Sequence, residues 1–250
     1  MRRFFRIFFL VVLGAVVGAI AYEAIMLVRV MLLRNGNPTS TSLIDTRIKE
    51  AEAKGQQPRR EQVWVPLDRI SSNLQRAVLA GEDTNFMTHH GFDYEAIQKA
   101  FEQAQREAAK QAKAEGEDDD WLPNLPEFKR GGSTISQQLA KNLYLSSQRS
   151  FLRKGQEAAL TIMLERTLTK RRILEIYLNV IEWGDGIYGA EAAAQHYFHK
   201  PASALSANEA AFLSAMIPNP RTVFNPQVNP RRVARRQRII LRGMPYIKLP

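Results

Sequence analysis

The chain has 250 residues, no cysteine, 45% hydrophobic side chains and a formal net charge of +10, which allows one sizeable domain with a short appendage. Without cysteine, disulfides and thiolate chemistry are excluded. The basic excess is not a general nucleic-acid footprint: residues 221–250 hold eight of the 35 basic side chains and no acid, leaving 27 bases against 25 acids elsewhere. On a domain held at a membrane, Arg231, Arg232, Arg235, Arg236, Arg238 and Arg242 suit anionic lipid headgroups better than nucleic acid, and suit a solvated helix face equally well.

From Ile7 to Val28 the only ionisable side chains are Tyr22 and Glu23, and these 22 residues span roughly 33 Å as a helix, about the thickness of a bilayer core. Ala19-Ile20-Ala21 resembles a signal-peptidase site, but the apolar run continues to Leu33, too long for an ordinary signal peptide, so 7–33 reads as a retained anchor. Arg2, Arg3 and Arg6 place residues 1–6 in the cytoplasm and the rest of the chain outside, with Arg29 and Arg34 counting against that orientation. Residues 34–62, polar and rich in turn formers, read as a stalk with room for one short helix. A folded domain is expected over 63–244, followed by a tail at 245–250.

Within that domain, 3.6-residue periodicity predicts helices at 71–80, 94–114, 134–144, 152–168, 170–179, 190–197 and 207–217, and no alternating strand pattern competes with them. Thr169 can cap the helix that follows it, Ser206 and Glu209 form a capping box, and Pro218 stops the last core helix. Residues 115–120 are almost wholly acidic and 121–126 contain two prolines, which reads as a mobile loop leading into Gly131.

Three blocks carry candidate chemistry. Glu82, Asp83, Phe86 and His89 gather a carboxylate pair, an aromatic ring and an imidazole within two turns, a combination that is more often polar surface than catalytic site. In Gly131–Asn142 a glycine pair precedes a helix start. There Thr134, Gln138 and Lys141 share one face, Ile135, Leu139 and Leu143 share another, and the first-turn N–H groups with Lys141 would suit a phosphate. Alone, this segment fits an ordinary capped helix, with Thr134 as N-cap and Gln137 as its partner, at least as well. Arg149, Arg153, Lys154 and Glu157 place cations before a carboxylate; Arg153 and Glu157, four residues apart, also fit a surface ion pair worth only about 0.2–0.5 kcal/mol. Lys170–Asn179 reads mainly as a packed helix with Ile173, Leu174, Tyr177 and Leu178 inward.

In this order the blocks resemble the motifs of the family 51 glycosyltransferases, the peptidoglycan glycosyltransferases that polymerise lipid II. Glu82-Asp83 with Phe86, His89 and Gly91 resembles the first motif, Gly131–Asn142 the second, Arg153-Lys154 with Glu157 the third and Lys170–Asn179 the fourth. Gly189–Phe198 and Glu209–Pro220 resemble the remaining helices of the family. His199–Ser203 and the Arg-rich end resemble its monofunctional, membrane-anchored branch from Gram-negative bacteria. The acidic stretch before Gly131 departs from the family's hydrophobic, membrane-contacting region. No Ser-x-x-Lys occurs, and no room remains for a penicillin-binding domain.

The resemblance implies a mainly α, lysozyme-like domain behind one transmembrane helix, on the periplasmic side of the inner membrane. Its substrates would be lipid II and the growing lipid-linked glycan, joined with inversion at the donor C1. Glu82 would be the base and Glu157 the second catalytic carboxylate. Lys141, Arg149 and Arg153 would meet the leaving pyrophosphate, and Asp83, Phe86, His89, Ser133, Thr134, Gln137, Gln138 and Asn142 would shape the groove. No metal ligand pattern is present and no cofactor is required, which leaves room for a divalent cation (Mg or Mn) on the pyrophosphate. The membrane and cell-wall synthesis or division proteins are the further partners, with no nucleic acid. The competing readings are a lysozyme-like hydrolase, which needs a protonated acid at the leaving oxygen and a path for water, and an anchored scaffold that only binds lipid-linked precursor.

Overall fold

The computed structural model describes residues 2–99, 101–102, 105–106, 133–146 and 150–250. Gly131, Gly132, Arg149, the acidic stretch 115–120 and most of the helix expected over 94–114 lie outside the described residues, although 94–99 are helical as expected.

Helix α1 (Arg2–Leu32) is apolar over a length sufficient to cross a membrane. Its outer turns are exposed, but Met26, Val30 and Leu33, spaced four and three residues apart, are buried against the rest of the protein. The segment read as a stalk is part of the folded body. Thr41 caps helix α2 (Ser42–Ala53), Ile44 is fully buried, and Ser42 Oγ donates to the Leu145 carbonyl at 2.9 Å. Few of its apolar residues face inward, with Leu43 and Ile48 half-buried beside Ile44, which is why composition alone suggests a linker.

The core helices follow the apolar periodicity closely. Helix α3 (Ser72–Glu82) is capped by Ser71 and buries Leu74, Ala77, Val78 and Leu79. Helix α4 (Ile135–Tyr144) buries Ile135, Leu139 and Leu143. Helix α5 (Phe151–Thr167) starts at the N-cap Ser150. Helix α6 (Lys170–Val180) starts at Thr169, as its sequence predicts, and buries Ile173, Leu174, Tyr177 and Leu178. Helices α7 (Ala190–Phe198) and α8 (Ala207–Met216) follow; α8 carries the expected Ser206/Glu209 capping box and ends before Pro218. Helix α9 (Pro230–Gly243), not among the helices expected from the sequence, packs on α8 and α3 through Val233 and Ile240.

Three strands not anticipated from the sequence, β1 (Glu61–Gln62), β2 (Glu182–Gly184) and β3 (Ile187–Tyr188), form a small sheet in the order β1-β3-β2, with β1 parallel and β2 antiparallel to β3. Runs of two or three residues are too short to show alternation. Asn179 ties this sheet to α6. It is fully buried, its Nδ2 donates to the Val65 carbonyl and its Oδ1 accepts from the Val65 amide, both at 2.9 Å. Its backbone carbonyl accepts from Gln62 at 2.8 Å. Gly189 passes so close to this turn that a Cβ would stand 2.7 Å from the Asn179 carbonyl oxygen, and its φ of +82° suits glycine.

Candidate active site

Glu82 sits on the last turn of α3 with its side chain only 8% exposed. Gln138 Nε2 donates to Oε2 at 2.9 Å, and Arg236 Nη2 donates to Oε1 at 2.7 Å and to the Gly81 carbonyl at 2.8 Å. Burial raises the pKa of the carboxyl; Arg236, Gln138 and more distant Lys141 pull the other way without cancelling it. Gln138 is itself oriented, because Tyr177 donates its hydroxyl to Gln138 Oε1 at 2.8 Å, turning the amide NH₂ toward the carboxylate. Tyr177 stays a phenol: burial, then the charges of Glu82 and Asp83, push its pKa well above the ordinary value.

Asp83 and His89 are buried and hold other parts in place. Asp83 accepts from the Ile135 amide at 2.9 Å, closing the N-terminus of α4, and from His89 Nε2 at 2.8 and 3.0 Å. Because the Gly91 amide donates to His89 Nδ1 at 3.1 Å, the imidazole hydrogen lies on Nε2 and points at Asp83. The Gly91 carbonyl accepts from Thr134 Oγ1 at 2.7 Å. With φ at +95° and Thr161 Cγ2 2.8 Å from where a Cβ would stand, position 91 suits glycine. Phe86 is buried beneath the Lys170 ammonium, 4.5 Å from the ring centroid.

Thr134 and Gln137 therefore do not furnish the groove wall expected of them. Thr134 is 2% and Gln137 4% exposed, and both are occupied by the capping box, the Thr134 amide donating to Gln137 Oε1 at 2.9 Å. Ser133 is exposed just before it. The groove side of α4 is instead Gln138, Lys141 and Asn142, which line a cavity of about 410 Å³ together with Arg153, Tyr177, Glu182 and residues of α2 and of 217–221.

Glu157, on α5, is 3% exposed and lies between two cations. Arg153 Nη1 donates to Oε2 at 2.8 Å and Lys154 Nζ to Oε1. A pair this buried differs from the surface ion pair that its spacing also allowed. Lys141 is an exposed residue on the cavity wall, yet the partial loss of water there lowers its ammonium pKa; Arg153 and Lys154 add to that, and Glu157 and Glu82 oppose it. An anion entering the cavity would relieve this crowding of positive charge.

Arg47, Glu182, Arg221 and Arg236 complete the site without having been singled out for it. Arg47 reaches Glu182 Oε2 through Nε at 3.2 Å and Nη2 at 3.0 Å, and Arg221 Nη2 pairs with Asp185 at 2.6 Å. Burial raises the Glu182 pKa despite both guanidinium groups. Arg236, grouped by sequence with the basic side chains of the C-terminal end, has its headgroup on Glu82, in place of a lipid contact. The readable signal is its spacing: three residues after buried Val233 and four before buried Ile240, position 236 faces inward. Among the described residues, no group of three His, Asp or Glu is arranged to hold a metal ion.

A family model described as transglycosylase matches residues 48–116 and 121–245. The chain belongs to the transglycosylase family. It is 45% identical over 239 residues to a biosynthetic peptidoglycan transglycosylase of Thiobacillus denitrificans, covering 96% of this chain and 95% of that one. It is 43% identical over 247 residues to the protein of the same name from Chromobacterium violaceum, covering 98% and 99%, and 45% identical over 231 residues to that from Aromatoleum aromaticum, covering 92% of each. The family match thus takes in the second half of α2, in keeping with the docking of that helix.

Proposed function

We propose that this transglycosylase polymerises lipid II into glycan strands, with the growing lipid-linked glycan as donor. Glu82 takes the proton from the acceptor 4-hydroxyl as that oxygen attacks the donor C1. The bond from C1 to the pyrophosphate oxygen breaks with inversion, and the electron pair leaves on polyprenyl pyrophosphate. The departing charge is met by Lys141 and Arg153, with Arg149 as a third cation expected from the sequence. Glu157 holds Arg153 and Lys154 in position. No catalytic metal is invoked, and a divalent ion on the pyrophosphate would add to these cations.

The observation carrying this reading is that a desolvated carboxylate and a cation-lined cavity share one oriented amide, Gln138. A raised glutamate pKa would also suit the general acid of a hydrolase. Against that use, Arg236 lies 2.7 Å from Glu82 Oε1, which favours the ionised form, and a hydrolase has little need of Lys141 and Arg153 at the leaving group.

We place the protein in the inner membrane through α1, with a cytoplasmic N-terminus and a periplasmic catalytic domain. Arg2, Arg3 and Arg6 support this orientation, and the weight of Arg29 against it falls because its guanidinium lies 5.2 Å from the Tyr144 ring centroid. Cell-wall synthesis or division proteins remain proposed partners. The test is incubation of the purified full chain with lipid II in detergent: lengthening glycan is expected, and release of soluble fragments from preformed glycan without lengthening would overturn the reading.

A further inference from the structure

The last turns of α1 are gripped in sequence by three helices of the catalytic domain. Gln156 of α5 donates to Glu23 at 3.4 Å, Arg29 lies over Tyr144 of α4, and Arg172 of α6 closes the end of the helix. Arg172 Nε donates to the Leu33 carbonyl at 2.9 Å, and its Nη2 donates to the Gly36 carbonyl at 2.6 Å and to Asn37 Oδ1 at 2.8 Å. Its guanidinium lies 5.5 Å from the Trp64 ring centroid, and its Nη1 donates to Glu175. A cation on the Leu33 carbonyl, just past the last helical residue, is a favourable cap, and the contacts to Gly36 and Asn37 hold the turn that follows. Between these grips, Met26, Val30 and Leu33 are 8%, 0% and 5% exposed.

A helix docked in this way transmits position. Ile7 to Glu23 covers 17 residues, about 26 Å of helix and the short end of what crosses a bilayer core, so the docked stretch begins where the chain leaves the lipid. Gln156 adjoins Glu157 in sequence, and Phe151 and Leu152, 98% and 89% exposed, lie within about 8 Å of it along α5. We infer that α1 is a docked part of the catalytic domain and that Arg172 is a positioning residue, fixing the height and tilt of the cleft so that Lys141 and Arg153 meet a pyrophosphate still at the membrane surface. This rests on the reading that α1 spans the bilayer and that the substrate is lipid-linked.

The test uses the full chain in vesicles, with Arg172→Ala and, as a second variant sparing every docked side chain, a Gly-Ser-Gly-Ser insertion between Tyr22 and Glu23, which uncouples the bilayer span from the docked stretch. With bilayer-embedded lipid II, kcat/KM is expected to fall by on the order of tenfold to a hundredfold, while turnover of a short-chain, water-soluble lipid II analogue and the melting temperature stay near those of the parent. Equal losses on both substrates would make the role merely structural and overturn the inference, as would no loss on either. A readout independent of catalysis uses the absence of native cysteine: a dye on Ser203→Cys reports energy transfer to an acceptor in the bilayer plane. The parent should give one narrow distance and both variants a broadened one. An unchanged distribution overturns the inference even if the protein proves inactive on lipid II, an outcome that by itself would count against the proposed function alone.

Discussion

Glu82 and Glu157 are both buried carboxylates with a guanidinium nitrogen 2.7 or 2.8 Å away, yet their remaining neighbours separate their roles. The second oxygen of Glu82 meets the neutral amide of Gln138, itself held by a neutral phenol, whereas that of Glu157 meets a second cation, Lys154. Glu82 has one cation in contact and Lys141 further off, which do not cancel the effect of burial on its pKa, and this suits the proposed base. Glu157 is engaged by two cations and is suited to hold them. What distinguishes the two carboxylates is not burial but how many cations are in contact with each.

The comparison breaks most sharply at the carboxylates themselves. Glu82→Gln should lower turnover by about 10²- to 10⁴-fold with lipid II binding retained; near-parental turnover would remove Glu82 from the base role. Glu157→Ala should cost less rate but more stability, on the order of 3 kcal/mol, because Arg153 and Lys154 are left without their shared carboxylate. If thermal unfolding shows Glu157→Ala as stable as Glu82→Gln, the assigned difference fails.

A subtler change concerns Arg236. It lowers the Glu82 pKa against the effect of burial, so Arg236→Ala should raise that pKa further. A base works only when deprotonated, and activity is lost as pH falls through its pKa. The acid limb of the kcat/KM profile should therefore move to higher pH in Arg236→Ala and less in Arg236→Lys; an unmoved limb would show that another group titrates. The smallest effect is expected at Thr134→Ala, which should cost about 1 kcal/mol as a lost helix cap and leave KM unchanged. A raised KM with an unchanged melting temperature would return Thr134 to the groove.

Local signals made much of this legible in the sequence. Thr134 with Gln137 and Ser206 with Glu209 are three residues apart, and the stripe of Ile135, Leu139 and Leu143 repeats within one helix, so both can be read from neighbours alone. Arg236 and Glu82 are 154 residues apart, and only the inward spacing of Arg236 between Val233 and Ile240 hints at the pairing. Helix α2 docks through Ile44, a hydrogen bond from Ser42 to the distant Leu145 carbonyl and the Arg47–Glu182 pair, which no local periodicity reports. Thr134 was misread for a different reason: sharing a helical face with Gln138 and Lys141 places it in line with them, but an N-cap turns its hydroxyl back to the backbone.

The Gln138 bridge also limits where the proton can go after each bond is made. With Glu82 as base, every added sugar unit leaves one proton on that carboxyl. Its polar neighbours there, Gln138 Nε2 and Arg236 Nη2, are donors and cannot accept it, and Tyr177 already donates to the far side of the amide. No relay leads inward through these side chains. On that reading the proton has to leave through the cleft to water, so the base is reset only when water reaches it, and the pace of repeated addition is tied to how often that mouth is wet.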